Sequence, residues 1–306
     1  WERTLAKFEL SVAGEGRGAW EFQLCHVDVF DDGGPDRSPR DVVANVLSWA
    51  PAEELKFEAD VLDVSIKSSS VSSITDANIC YINPSSALQE LTLDSDVLNA
   101  EEQHTDLVPS KYEGGLKVWE CTFDLVRYLE NEIKDAKIDF DGKDVLDLGC
   151  GHGILGIFAL QKGARVHFQD YNKSVLSSVT IQNIMLNFPH KEWKNKLNLC
   201  RFFSGDWESF LQLVKEGGQK YDIILSSETI YNPQNQQKLC SVFKKTLNSN
   251  GTVYLAGKTY YFGVGGSLRQ FESMLCSAGD LTSETCWKSS DGVQREILKI
   301  TFKKDR

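Results

Sequence analysis

The sequence predicts a doubly wound α/β fold on a seven-stranded, mostly parallel sheet, with a C-terminal antiparallel hairpin and an acidic N-terminal extension. Three observations predict it. From residue 111 onward, short apolar runs alternate with amphipathic stretches of helical period. A strand at 145–149 (VLDLG) runs straight into a glycine-rich turn, GCGHGILG. The chain closes on two strand-like runs joined by Asp291-Gly292, which is hairpin chemistry.

Each element follows in order. Residues 117–135 place Val118, Cys121, Leu125, Tyr128 and Leu129 at helical spacing. The strand at 145–149 leads to a helix at 154–163 that Gly163 ends. A strand at 165–170 precedes a helix at 172–187, a strand at 197–203 precedes a helix at 206–217, and a strand at 221–228 precedes a helix at 233–251. A fifth strand at 252–258 and a helix at 267–279 come before the terminal pair. Five β-α units imply parallel strands with helices on both faces.

The N-terminal third reads differently. Residues 1–57 are turn-rich and read as a poorly structured acidic arm. Residues 58–110 read as an extension packed on the core, with short strands in ADVLDVSIKSS and NICYINPS and an irregular acidic stretch at 85–102. The catalytic-type domain then covers 111–306. Residues 1–110 carry 21 Asp+Glu against 7 Lys+Arg, and the remainder 23 against 26. The net charge of −11 is therefore concentrated in the N-terminal part. An acidic arm beside a mildly basic body suits either a basic protein partner or a merely solubilising tail; a nucleic-acid reader needs a dense basic face.

None of the eight cysteines forms a CxxC pair, so neither a zinc site nor a disulfide framework is expected, and no metal is assigned. No apolar run approaches the roughly 18 residues of a membrane span. No secretory signal pattern opens the chain, which begins with Trp1.

The charge at the glycine turn separates two cofactor classes. Its spacing satisfies a dinucleotide fingerprint, but Asp147 stands two residues before Gly149. A carboxylate there repels a pyrophosphate and favours a cation. S-adenosylmethionine (SAM) carries a sulfonium and an ammonium and no phosphate. Gly149 and Gly151 then allow close backbone approach. Asp170 ends the second strand, where a carboxylate suits ribose hydroxyls in either class. Asp206 and Trp207 follow the third strand, where a carboxylate and an indole suit adenine. Capping of the helix after each strand is the alternative for all three acids.

The stretches YEGGLKVWECTFDLVRYL, VLDLGCGHGILGI, HFQDYN, CRFFSGDW, YDIILSSETIYNP and AGKTYYFGVGG together resemble the eukaryotic histidine protein methyltransferases. These are Rossmann-like, class I, seven-β-strand SAM enzymes whose family substrate is a histidine of ribosomal protein uL3. The resemblance spans 58–306 and is dense from 111. It implies that Val118, Trp119, Glu120, Cys121 and Thr122 close over SAM, that Gly149 faces its methionine part, that Gln169, Asp170 and Tyr171 surround the ribose, that Gly205, Asp206 and Trp207 surround the adenine, and that Ser227 lies beside the cofactor. It implies S-adenosylhomocysteine as product, a uL3-like basic protein as partner, a monomer, and a cytoplasmic and nuclear or nucleolar location.

Methyl transfer from a sulfonium asks for alignment and a free lone pair. Neutral imidazole offers one such nitrogen if its N–H is held by an acceptor. Glu228, just past the fourth strand, is the leading candidate for that acceptor, with Tyr231 beside it. Asn232 is placed to fix the ring or the peptide, and Tyr260, Tyr261 and Phe262 to stack on the substrate; the alternative is that these three aromatics are core and Glu228 is a helix N-terminal carboxylate. Lysine methyltransferases of the same fold carry an acidic-x-x-Tyr arrangement here, which Glu228 and Tyr231 fit equally well. Three rival readings therefore stand beside histidine methylation: a lysine methyltransferase, an escort protein for a ribosomal partner, and an NAD-dependent reductase.

Overall fold

The computed structural model describes residues 48–57 and 70–303. The first 47 residues and the proposed strand ADVLDVSIKSS lie outside them.

The centre of the molecule is β4 (Asp144–Leu148), whose alternation divides the core in two. Val145 faces an apolar layer shared with α3 (Glu120–Lys134) and α4 (Ile154–Gln161), while Leu146 and Leu148 face the opposite layer. Helix α4 is buried nearly all round, because it lies between the sheet, α3 and the N-terminal layer. The other face is covered by α7 (Trp207–Glu216), α8 (Pro233–Thr246) and α9 (Leu268–Ala278) through Phe210, Leu239, Phe243 and Phe271.

β4 pairs in parallel with β5 (Arg165–Asp170) on one side and β7 (Tyr221–Ser227) on the other. β6 (Cys200–Ser204) extends the sheet beyond β5, and β8 (Leu247–Lys258) beyond β7. The hairpin β9 (Leu281–Lys288) and β10 (Arg295–Phe302) adds antiparallel strands at the far edge. Strand order reverses at β4 and β7, so a crevice opens at their C-terminal ends.

The seven expected strands are present, and an eighth joins them. β1 (Glu53–Leu55) pairs antiparallel with β6, although the acidic arm was expected to run unstructured to residue 57. Three residues are too few to show a strand period. Arg201 holds this edge through two hydrogen bonds to Glu54, of 2.8 and 3.0 Å.

Three other expectations change. The stretch at 85–102 is helical, not irregular: α1 (Pro84–Glu90) is capped by Asn83 and α2 (Ser95–Glu102) by Asp94. Their buried faces use Ala87, Val97 and Ala100, small residues that leave a weak apolar signal. They pack beside the short hairpin β2 (Val71–Ile74) and β3 (Ile79–Ile82). The helix expected at 172–187 is a π-helical stretch, Val175–Thr180, followed by α5 (Ile181–Leu186), with α6 (Trp193–Leu197) after it. Thr180 Oγ1 bonds to the Gly151 carbonyl at 2.7 Å, which ties the wider turn to the glycine loop. Finally, α8 stops at Thr246, because the backbone from Leu247 already pairs with Tyr221. Asn248 donates to Asp222 at 2.7 Å there.

Candidate active site

The crevice encloses about 830 Å³, including its mouth. Its floor is the glycine turn between β4 and α4. Gly149 and Gly151 have φ of +70° and +49°, which side chains rarely adopt. A Cβ on Gly151 would meet the Gly115 carbonyl at 2.8 Å, so this glycine lets the loop before α3 lie against the turn.

Several amide hydrogens of this turn are already spoken for. Gly156 N donates to Asp147 at 2.7 Å, Gly151 N to Asp170 at 2.8 Å, and Cys150 N to the Gln169 carbonyl at 2.8 Å. A pyrophosphate would need such N–H groups free. The nearby lysines are paired as well: Lys117 with Asp106, and Lys238 with Asp206 at 2.6 Å. Asp147 and Asp170 are buried, and burial raises their carboxyls to about 7 and about 6. A cationic ligand with hydroxyl donors fits this wall; a diphosphate does not.

The capping alternative and the binding reading coexist for the three acids. Asp147 does bond the first turn of α4, yet it lines the crevice. Asp206 caps α7 through Glu208 N at 3.0 Å and receives Lys238, and it too lines the crevice. Asp170 accepts from Gly151 and, at 3.1 Å, from Asn172, so it fixes the turn and its own loop together.

Among the expected cofactor residues, Val118, Trp119, Thr122, Gly149, Gly151, Tyr171, Gly205, Trp207 and Ser227 line the crevice with the three acids. Ser227 and Thr122 share a hydrogen bond of 2.7 Å across it. Gln169 stands behind the lining: it donates to the Gly205 carbonyl at 2.8 Å and accepts from Trp207 Nε1 at 2.9 Å, fixing both. Cys121 is fully buried in the layer beneath, and burial pushes its thiol up. Glu120 is exposed at the rim, 3.2 Å from Lys258.

The expected acceptor end is assembled from the end of β7. Glu228 lines the crevice at 6% exposure and adopts φ of +59°, a strained conformation for a glutamate. Its N–H is held by the Ala256 carbonyl at 2.9 Å. Neither carboxylate oxygen has a hydrogen-bond partner of good geometry among the described residues. Lys258 Nζ lies 3.9 Å from Oε1. The Cys121 thiol and the Tyr261 hydroxyl are close enough for the Glu228 charge to push both upward, after burial itself.

Tyr231 also lines the crevice, and its hydroxyl donates to Glu113. Asn232 does not: its Oδ1 caps α8 by accepting from Gln234 N at 3.0 Å. Tyr261 is buried and accepts from Lys258 N at 3.1 Å, a supporting position with no face offered to a ligand. Tyr260 and Phe262 are 48% and 82% exposed and pack edge-to-face at 4.9 Å.

Several lining residues escape a reading of the sequence. Trp49 enters from the segment before β1, forms an edge contact with Tyr171 at 5.8 Å, and receives Lys238 over its ring at 4.3 Å. Its signal was a lone tryptophan two residues before Pro51, in a short segment with no strand or helix period. Glu113 sits in YEGG, a conspicuous carboxylate before two glycines, but its partner is remote. His152 is no such case, since its place in the glycine turn already puts it near a cofactor; it lines the crevice with its ring committed, Nε2–H donating to the Leu116 carbonyl at 2.7 Å, and burial holds it down at about 4.

The comparisons with known proteins agree with this geometry. A family model described as lysine methyltransferase matches residues 92–262. A histidine protein methyltransferase 1 homolog from Mus musculus is 38% identical over 279 residues, covering 84% of this chain and 76% of that protein. Proteins of the same name from Bos taurus and Dictyostelium discoideum are 43% and 45% identical, each across 65% of this chain. The chain spans 58% and 61% of the length of those two.

Proposed function

Since this chain belongs to the histidine protein methyltransferase family, within the wider group described as lysine methyltransferases, we propose that it methylates a ring nitrogen of a histidine in a basic ribosomal protein of the uL3 kind. It is a SAM-dependent methyltransferase. When bound, SAM supplies a methyl group already activated on a sulfonium. Asp147 and Glu113 would give its cationic end a negative surrounding, Asp170 and Tyr171 would hold the ribose, and Gly205, Asp206 and Trp207 the adenine.

The similarity to histidine protein methyltransferases carries the choice of histidine, and the observation in the site that this chemistry uses is Glu228. Its carboxylate is buried with Lys258, Cys121 and Tyr261 nearby but no well-aligned hydrogen bond among the described residues, so a ligand donor placed in line with it would be favourable. A neutral imidazole supplies it: its N–H goes to Glu228, which leaves the lone pair on the other nitrogen facing the methyl group. The carboxylate then stabilises the positive charge that the ring acquires. Tyr231, having donated to Glu113, presents only lone pairs to the crevice and is a second acceptor for the ring. The exposed Tyr260 and Phe262 offer an apolar contact for the substrate protein beside this end. The acidic N-terminal residues suit a basic partner, and the proposed setting is the cytoplasm and nucleus, where ribosomal proteins are made and assembled.

The identity of the substrate is tested in an extract from cells lacking this protein. Adding the purified chain with methyl-labelled SAM should label one basic ribosomal protein on a histidine. Label confined to lysine would favour the second reading, to which Glu228 and Tyr231 lend equal support through their acidic-x-x-Tyr spacing.

A further inference from the structure

The proposed chemistry creates a conflict at Glu228. A lone buried carboxylate beside an imidazole raises the ring's pKa and favours imidazolium, which has no lone pair to give. The acceptor must therefore hold the N–H without recruiting a second proton.

The surroundings of Glu228 contain a counterweight. Lys258, at the end of β8, lies 3.9 Å from Glu228 and 3.2 Å from Glu120, with its ammonium 5.4 Å from the Trp119 ring centre. It is only 20% exposed. The other groups packed around this end do not supply the same charge. From α3 come Glu120, Cys121, whose thiol stays protonated, and Asp124, which is paired at 2.6 Å with Arg295 of β10. Tyr261, next to β8, is neutral because burial and Glu228 push its hydroxyl up. Tyr231 is neutral and committed to Glu113. Lys258 keeps its own proton, since Glu228 and Glu120 outweigh the cost of its burial.

We propose that Lys258 is a positioning residue that sets the charge around Glu228, so that the substrate imidazole is held there neutral and nucleophilic. The inference rests on the histidine reading and deepens it. Glu228 contributes direction, by accepting the N–H. Lys258 cancels the field that would otherwise protonate the opposite nitrogen. Glu120 tunes the balance by sharing the ammonium at the rim.

The test is the pH profile of kcat/KM for methylhistidine formation on recombinant uL3, with SAM affinity measured in parallel. The acidic limb reports protonation of the substrate ring. In Lys258→Met and Lys258→Gln it should move up by roughly one to two pH units, as expected of a unit charge a few ångströms away at an effective dielectric near 20. Lys258→Arg should restore the limb. Glu120→Gln, at an exposed position that leaves folding untouched, should move it down. Should the Met and Gln variants not fold, the Glu120→Gln and Lys258→Arg profiles decide. A limb that stays in place in the folded Lys258 variants, or an upward shift in Glu120→Gln, overturns the assignment of Lys258 alone. Absence of methylhistidine with the unaltered protein, SAM still binding, overturns the histidine reading and this inference with it.

Discussion

Tyr231, four residues past the end of β7, donates its hydroxyl hydrogen to Glu113, 118 residues earlier in the chain. The bond ties the loop before α3 to the acceptor end of the crevice. Burial raises both groups, so each depends on the other to stay paired. Tyr231→Phe leaves one oxygen of the half-buried Glu113 carboxylate without its donor, the other keeping Ser110 N–H at 3.2 Å. The expected loss is about 1–3 kcal/mol of stability, read as a drop of several degrees in thermal unfolding. Unchanged unfolding would show the pair to be dispensable.

Asp170 ties two backbone amides and faces the crevice. Asp170→Ala leaves Gly151 N and Asn172 N without their acceptor and removes the group for the ribose. SAM binding by calorimetry should fall below detection. Asp170→Asn, which keeps an acceptor oxygen for one amide, should bind weakly. Affinity equal to the parent in either variant would remove Asp170 from the site.

The raised carboxyls of Asp147 and Asp170 give binding a pH dependence of definite sign. Their folded values, about 7 and about 6, lie above the ordinary 3.8. A raised carboxyl stabilises the folded chain most at low pH, and that contribution is lost as pH rises through the folded value. A cationic ligand reverses the preference, because it favours the charged carboxylates. SAM affinity should therefore rise between pH 5 and pH 8, with proton release on binding near pH 6 and little near pH 8. Calorimetry in buffers of different ionisation enthalpy measures that release. Proton uptake at pH 6 would contradict the assignment.

Gly151→Ala tests the close approach of two loops. The new Cβ would meet the Gly115 carbonyl at 2.8 Å, at a φ of +49°. The loop carrying Glu113 and Trp119 must then move off the turn. SAM affinity should fall at least about tenfold while the sheet remains intact, since a shift costing 1.4 kcal/mol already gives that factor. Circular dichroism and calorimetry together check both halves of the expectation.

How much of this was legible in the sequence follows from range. The parallel frame was legible because each strand and helix carries its own period, and Asp147 and Asp170 because they stand at strand ends before turns. Trp49 and β1 were not, since a three-residue strand shows no alternation and gains its meaning only by pairing with β6. Glu113 and Lys258 were missed for a related reason: their partners, Tyr231 and Glu228, are brought to them by the fold. For Asn232 and Tyr261 the sequence left the choice open, because a motif names neighbours in the chain and cannot say which side chain turns to cap a helix or, as the alternative for Tyr261 had it, fill a core.

Glu228 is the residue on which the chemistry turns, and one kinetic comparison addresses it most directly. Purified protein and its Glu228→Gln variant are given uL3 and methyl-labelled SAM, the product is hydrolysed, and its amino acids are separated. The parent should yield methylhistidine, and the variant should lose at least about a hundredfold in turnover, the scale of losing one aligned charge-stabilising group, with SAM affinity nearly unchanged. Methyllysine as the parent's sole product, or equal turnover in the variant, would refute the role of Glu228 as the acceptor that orients a histidine ring.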